Sequence, residues 1–191
     1  AKAKVANQWQ FALVLCSHGF LPRALQPSLV SYNSTMHHLE GNYWHRARDL
    51  LKTATLHFQP DIISFNCLRG TWMTTLQDLD LIERCNLRPS SISFNQCMAA
   101  LADDSQWCRG IDKLKDALKK GKATTVTWNS SIASCEAGRW SVAVLLLDFM
   151  RSWRFATVES VSSSISACRE AGHWEKAMAL ALHFEDVRAD V

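Results

Sequence analysis

The feature that most constrains this chain is a three-residue start, hydroxyl-aromatic-asparagine, that keeps returning. It appears as Ser31-Tyr32-Asn33, Ser64-Phe65-Asn66, Ser93-Phe94-Asn95, Thr127-Trp128-Asn129 and, degraded, Ser160-Val161-Ser162. The third members stand 33, 29, 34 and 33 residues apart, a period that belongs to stacked supersecondary units rather than to one globular core. A tryptophan follows each start: Trp44, Trp72, Trp107, Trp140 and Trp174, with an earlier Trp9 that has no start before it.

Three residues beyond each tryptophan is a small residue, Ala12, Ala47, Thr75, Gly110, Ala143 or Ala177, and seven beyond is Cys16, Leu51, Leu79, Leu114, Leu147 or Ala181. That i, i+3, i+7 spacing is one face of a helix, with an anchor, a close-approach site and an aliphatic plug. The pattern predicts a second helix in every repeat, with Trp44, Trp107, Trp140 and Trp174 substantially buried between successive hairpins. The first helix is predicted to start at the Ser/Thr column, a favoured N-cap type, and to carry Met36 and Leu39, Met98 and Leu101, or Ile132 and Cys135 inward. Gly41, Gly138 and Gly172 break it before the tryptophan.

These columns divide the 191 residues into an incomplete repeat, second helix only, over 1–19, a connector over 20–28 marked by Pro22 and Pro27, and repeats over 29–61, 62–90, 91–124, 125–157 and 158–191. The expected architecture is all-α, a right-handed α-solenoid of about eleven helices, since each hairpin has an apolar face that only a neighbour buries. A hydrophobic content of 48% suffices for this, and four prolines with seven glycines argue against a loop-rich β fold. The start in mid-repeat without a methionine suggests a processed or partial N-terminus. In the second repeat the tryptophan follows Asn66 after six residues instead of eleven or twelve. More than one helical turn is therefore missing there. Ser160–Ser166 stays in register with a first helix and is read as a weak helix, not a linker.

The net charge of +3 is a mild bias, well below the basic footprint of a protein held on nucleic acid mainly by phosphate contacts. Lys113, Lys115, Lys119, Lys120 and Lys122 form the densest basic run, but Asp112 and Asp116 interleave with it, which predicts a solvated outer face. The seven cysteines, Cys16, Cys67, Cys85, Cys97, Cys108, Cys135 and Cys168, include no C-x-x-C pair. They read as small buried apolar residues in a reducing compartment. No apolar run approaches the roughly 18 residues of a membrane span.

The run Val30-Ser31-Tyr32-Asn33 through Arg46-Ala47-Arg48-Asp49-Leu50-Leu51 to Pro60-Asp61 resembles the pentatricopeptide repeat (PPR) family, and the resemblance extends over about residues 8–191. The tryptophan opening the second helix is similar to a variant found in some plastid-bearing algae. In that family the first helices line a concave face and each repeat reads one base of single-stranded RNA. The resemblance implies base-reading residues at Asn33, Asn66, Asn95, Asn129 and Ser162, partners closing the repeats at Asp61, Ser90, Thr124 and Thr157, and stacking residues at Val30, Ile63, Ile92 and Val126, with Glu159 departing. By the family's rule Asn with Asp prefers uracil, and Asn with Ser or Thr leans to pyrimidines. It also implies an organellar setting, plastid before mitochondrion.

From the residues alone the asparagines have two readings, helix caps or base readers. Ser31, Ser64, Ser93 and Thr127, two residues earlier, already offer capping hydroxyls, which leaves the amides available to a base edge. The aromatic column Tyr32, Phe65, Phe94 and Trp128 reads as packing between helices ahead of base stacking. No catalytic motif occurs: His183-Phe184-Glu185 matches half of a zinc deaminase signature, without the P-C-x-x-C that completes it. His37, His38, His45 and His57 lack metal-ligand spacing. The chain therefore reads as a non-enzyme without cofactor, metal or small-molecule substrate. Two functions remain open: a module that binds single-stranded, pyrimidine-rich RNA, and a protein-interaction scaffold, an accessory subunit of a large organellar assembly such as a ribosome or a photosynthetic membrane complex.

Overall fold

A computed structural model describes residues 28–39, 43–68, 70–136 and 138–182. The expected helix around Trp9, the connector, Gly41, Cys16 and His183-Phe184-Glu185 lie outside the described residues. The chain divides into two compact units, 1–89 and 90–191. Unit 1 contains α1 (Leu29–His38), α2 (Trp44–Thr55), α3 (Ile62–Asn66) and α4 (Trp72–Arg84). Unit 2 contains α5 (Ser91–Asp103), α6 (Trp107–Lys119), α7 (Thr125–Ala133), α8 (Trp140–Ser152), α9 (Val158–Glu170) and α10 (Trp174–Leu182). No strand occurs among the described residues.

The first helices begin three residues before the expected column. Their N-caps are Ser28, Asp61, Ser90, Thr124 and Thr157. Ser64, Ser93, Thr127 and Ser160 are instead the third helical residues, each returning a hydroxyl to the N-cap amide in a reciprocal capping box. Such a box satisfies two orphan amides, and an N-cap hydroxyl contributes about 1 kcal/mol. The sequence expectation failed because two columns of capping residues three apart, the earlier one including the carboxylate of Asp61, both satisfy the capping preference, and only the backbone decides which is first. One turn further, Thr35, Ser131 and Ser164 donate back to the carbonyl four residues earlier. These bonds let hydroxyls be buried in a helix wall, which is how the serine-rich stretch becomes the thirteen-residue α9.

In unit 2, α5 packs on α6 and α7, α7 on α8 and α9, and α9 on α10. Its core joins Leu114, Ile132, Cys135, Ala143, Leu147, Met150, Val161, Ala167, Cys168 and Leu180, with Trp128. The small-residue column is a close approach, as expected: a Cβ on Gly110 would lie 2.9 Å from Ser134 Oγ and 3.8 Å from Met98 Cε. The plug column is buried at Leu51, Leu79, Leu114 and Leu147 but exposed at Ala181. After the second helices Asn86, Gly121 and Arg154 all take left-handed φ values of 55°, 64° and 58°. The next amides, Leu87, Lys122 and Phe155, then reach back to the carbonyls of Ile82, Ala117 and Met150, closing Schellman turns.

The tryptophan column is a correction. Trp44, Trp72, Trp107 and Trp140 are half-buried, and Trp174 is exposed. In unit 2 the outer part of the indole meets a cation from the following repeat: Arg139 stands 5.0 Å over Trp107 and Lys176 4.7 Å over Trp140. An indole at the start of a helix sits at the rim of the hairpin, where a cation covers it more readily than a side chain of the core. The aromatic column, by contrast, is buried at Tyr32, Phe65, Phe94 and Trp128. Trp128 stacks on Phe149 at 5.1 Å. Cys97, Cys135 and Cys168 are buried thiols, as the composition predicted, but Cys85 and Cys108 are exposed. Burial pushes the Cys135 thiol up to about 11, so it is an inert packing group.

Unit 1 shows the shortened repeat directly. Its first helix, α3, has five residues, whereas α5 and α9 have thirteen each. Across this repeat Arg48 Nη2 on α2 pairs with Asp78 Oδ1 and also donates to the Thr74 carbonyl of α4 at 3.1 Å. Burial pushes the Asp78 carboxyl above its usual range, and Arg48 opposes that rise.

Candidate functional site

The register of the first helices places three columns together at their N-terminal ends. Asp61, Ser90, Thr124 and Thr157 are N-caps; Val30, Ile63, Ile92, Val126 and Glu159 are second helical residues; Asn33, Asn66, Asn95, Asn129 and Ser162 are fifth. Residues two and five are three apart, so they share one helix face. The aliphatic members are solvent-exposed, from 53% at Val126 to 75% at Val30. Each such helix start thus offers an apolar lip beside a carboxamide.

The asparagines do not cap their own helices. Instead each one whose surroundings lie within a single unit bonds to the start of the next repeat's first helix. Asn33 Nδ2 donates to Asp61 Oδ1 at 3.3 Å. Burial tends to raise the Asp61 carboxyl, but hydrogen bonds from the Ser64 hydroxyl and amide and from Asn33 outweigh it and hold the group below its usual range. Asn95 Oδ1 accepts from Thr124 Oγ1 at 3.1 Å and Thr127 Oγ1 at 2.6 Å. Asn129 Oδ1 accepts from Ser160 Oγ at 2.6 Å, while its Nδ2 donates to Thr157 Oγ1 at 3.1 Å and Glu159 Oε2 at 2.9 Å. The structure therefore brings together Asn33 with Asp61, Asn95 with Thr124, and Asn129 with Thr157. Asn66 and Ser90 belong to different units.

Three carboxamides in one register thus end in three chemical states. A carboxamide has two N–H donors and a carbonyl with two lone pairs. In Asn95 both lone pairs are taken by hydroxyls of α7 and its cap, which turns the amide donors outward beside the exposed Ile92. In Asn33 one donor is used, and the carbonyl oxygen is buried without a partner, an orphan acceptor that asks for a donor. In Asn129 both donors and the carbonyl are engaged inside the protein. Ser162 is exposed and its hydroxyl donates to the Val158 carbonyl of its own helix, so it offers nothing equivalent.

Sequence reasoning missed Thr127, Ser160 and Glu159 as partners of the asparagines. The first two belong to the hydroxyl column already assigned to capping. Their second contact spans 31 or 32 residues and has no local signal. The basic run is an outer, solvated face as expected: Lys113 pairs with Asp116 and Lys115 with Asp112. Among the described residues no cluster of His, Cys, Asp and Glu is placed to hold a metal, and no helix is long and apolar enough to cross a membrane.

No family model and no curated protein matches the chain. Two crystal structures of the pentatricopeptide repeat protein PPR10 in complex with an 18-nt psaJ RNA element, one a cysteine-to-serine variant, match with a TM-score of 0.65 over 97% of this chain at 16% identity. The fold is therefore the all-helical repeat solenoid of the pentatricopeptide type. The chain spans about a third of those proteins, covering 32% of their length.

Proposed function

We propose that this chain is a non-catalytic module that binds single-stranded RNA, with Asn95 as its reading group and a preference for pyrimidines. The observation that carries this is the Asn95 amide, which keeps both donors unbonded among the described residues beside the exposed lip of Ile92. An outward pair of donors suits acceptor-rich edges: cytosine offers a carbonyl and a ring nitrogen, uracil two carbonyls, whereas adenine offers its ring nitrogen next to its own amine. The likeness to RNA-bound PPR10 structures supports the same reading, and an organellar setting, plastid before mitochondrion, belongs to it.

The test is an affinity titration at fixed salt with uracil-rich, cytosine-rich and adenine-rich strands and a duplex. Pyrimidine strands should bind best, and Asn95→Ala should weaken them about fivefold, the equivalent of one hydrogen bond of ~1 kcal/mol. Equal binding to all strands that Asn95→Ala leaves unchanged would remove the basis of base reading. One observation favours the scaffold reading as second. On the outer side of α8 and its C-cap, Leu145, Phe149 and Trp153 are exposed, where the equivalent positions of α6 and its C-cap are Asp112, Asp116 and Lys120. Should no strand bind, a stoichiometric protein partner released by Leu145→Ser and Trp153→Ser would establish that role.

A further inference from the structure

We propose that Glu159 is a specificity-determining residue that closes the Asn129 position to a base, so that reading stops at Asn95. This rests on the RNA reading above and sharpens it. At the second position of the other first helices stand Val30, Ile63, Ile92 and Val126, all exposed aliphatic side chains without a hydrogen-bonding atom. Glu159 replaces that lip with a carboxylate, and its Oε2 accepts from Asn129 Nδ2 at 2.9 Å. Thr157 Oγ1 lies 3.1 Å from the same nitrogen, and Ser160 Oγ donates to the carbonyl at 2.6 Å. Both ends of the Asn129 amide are therefore held within the protein. For Asn95, one repeat earlier, the residue in the register of Glu159 is Val126, and the amide donors stay unbonded among the described residues.

Two physical effects act in one direction. A charge-assisted bond is stronger than the neutral bond a base would offer in exchange. Glu159 also stands in the first turn of α9, where the helix dipole favours its negative charge and where that charge repels an RNA backbone. The residue thus removes the donor that would read the base and weakens the approach of the strand.

The experiment titrates pyrimidine-rich RNA at fixed salt into the wild-type chain and its Asn95→Ala, Asn129→Ala, Glu159→Gln, Glu159→Val and Glu159→Val/Asn129→Ala variants, with helical circular dichroism confirming that each is folded. Asn95→Ala should weaken binding about fivefold, whereas Asn129→Ala alone should leave it within twofold. Glu159→Val should tighten binding by roughly fivefold, and adding Asn129→Ala should cut that gain to no more than that of Glu159→Gln. Glu159→Gln removes the charge but keeps an oxygen for Asn129, so its smaller gain should not depend on the base. An Asn129→Ala loss in the wild-type background equal to that of Asn95→Ala would overturn the proposal. So would a Glu159→Val gain that Asn129→Ala leaves undiminished, which would be a charge effect alone, or a Glu159→Val loss, which would make the carboxylate itself a reader. Failure of every variant to bind withdraws the RNA reading and this inference with it. Binding that ignores Glu159 overturns only the inference.

Discussion

Residues 62–89 and 91–124 carry the same repeat but are held together differently. In the second of these regions α5 turns Phe94, Cys97, Met98 and Leu101 into the core. In the first, α3 buries only Ser64 and Phe65, because the deletion removed the turns that would have carried the rest. There the second helices are tied by a directional polar contact instead, Arg48 on α2 to Asp78 on α4. The difference teaches that a stacked repeat can lose part of one helix if another pair of elements takes up the connection. The compensation is made of hydrogen bonds, whose geometry is specific, rather than of apolar area, which adapts to many shapes.

That contrast can be broken first from the apolar side. Met98→Ala empties a fully buried position of α5 and should destabilise unit 2 by about 3 kcal/mol. Hydrogen exchange should show the loss in α5 to α9, with the α2 and α4 amides of unit 1 unchanged; an equal loss of protection in both units would deny that they are separate cores. From the polar side, Asp78→Ala leaves the Arg48 guanidinium without its carboxylate. The side chains are 23% and 11% exposed, so the cost should be about 2 kcal/mol, below that of a fully buried pair. Urea unfolding followed on unit 1 signals checks it, and a change under 0.5 kcal/mol would reduce the pair to an accessory contact.

The smallest effect concerns how closely the regular hairpins approach. Gly110→Ala adds a methyl 2.9 Å from Ser134 Oγ, and that hydroxyl is held by its bond to the Ser131 carbonyl at 2.7 Å. Alanine favours a helix over glycine by about 1 kcal/mol, but the crowded site should more than offset it and leave a net loss of roughly 1 kcal/mol. Gly110→Ala in a Ser134→Ala background should then be neutral or stabilising. A thermal melt of the two pairs gives the sign, and a stabilising single substitution would show that the hairpins have slack at this contact.

Much of the architecture was legible in the sequence because it is periodic. The spacing of Trp107, Gly110 and Leu114, or of Trp140, Ala143 and Leu147, specifies one helix face, and the missing turn of α3 could be counted from Asn66 to Trp72. The columns of the candidate site were legible for the same reason. Their chemical states were not. Whether Asn33, Asn95 and Asn129 keep a buried acceptor, a free donor pair or nothing depends on contacts with residues 28 to 32 positions away.

The division follows from the range of the forces. Helix periodicity, capping preference and turn chemistry act over three to seven residues, so the sequence alone determined where the helices lie and which face each buries. It did not determine which of two columns of capping residues caps a helix, why the indoles sit at the rim under Arg139 and Lys176, or how Glu159 meets Asn129. Those were decided by tertiary structure, because a hydrogen bond or a cation over a ring depends on ångström-level placement of groups that only stacking brings together.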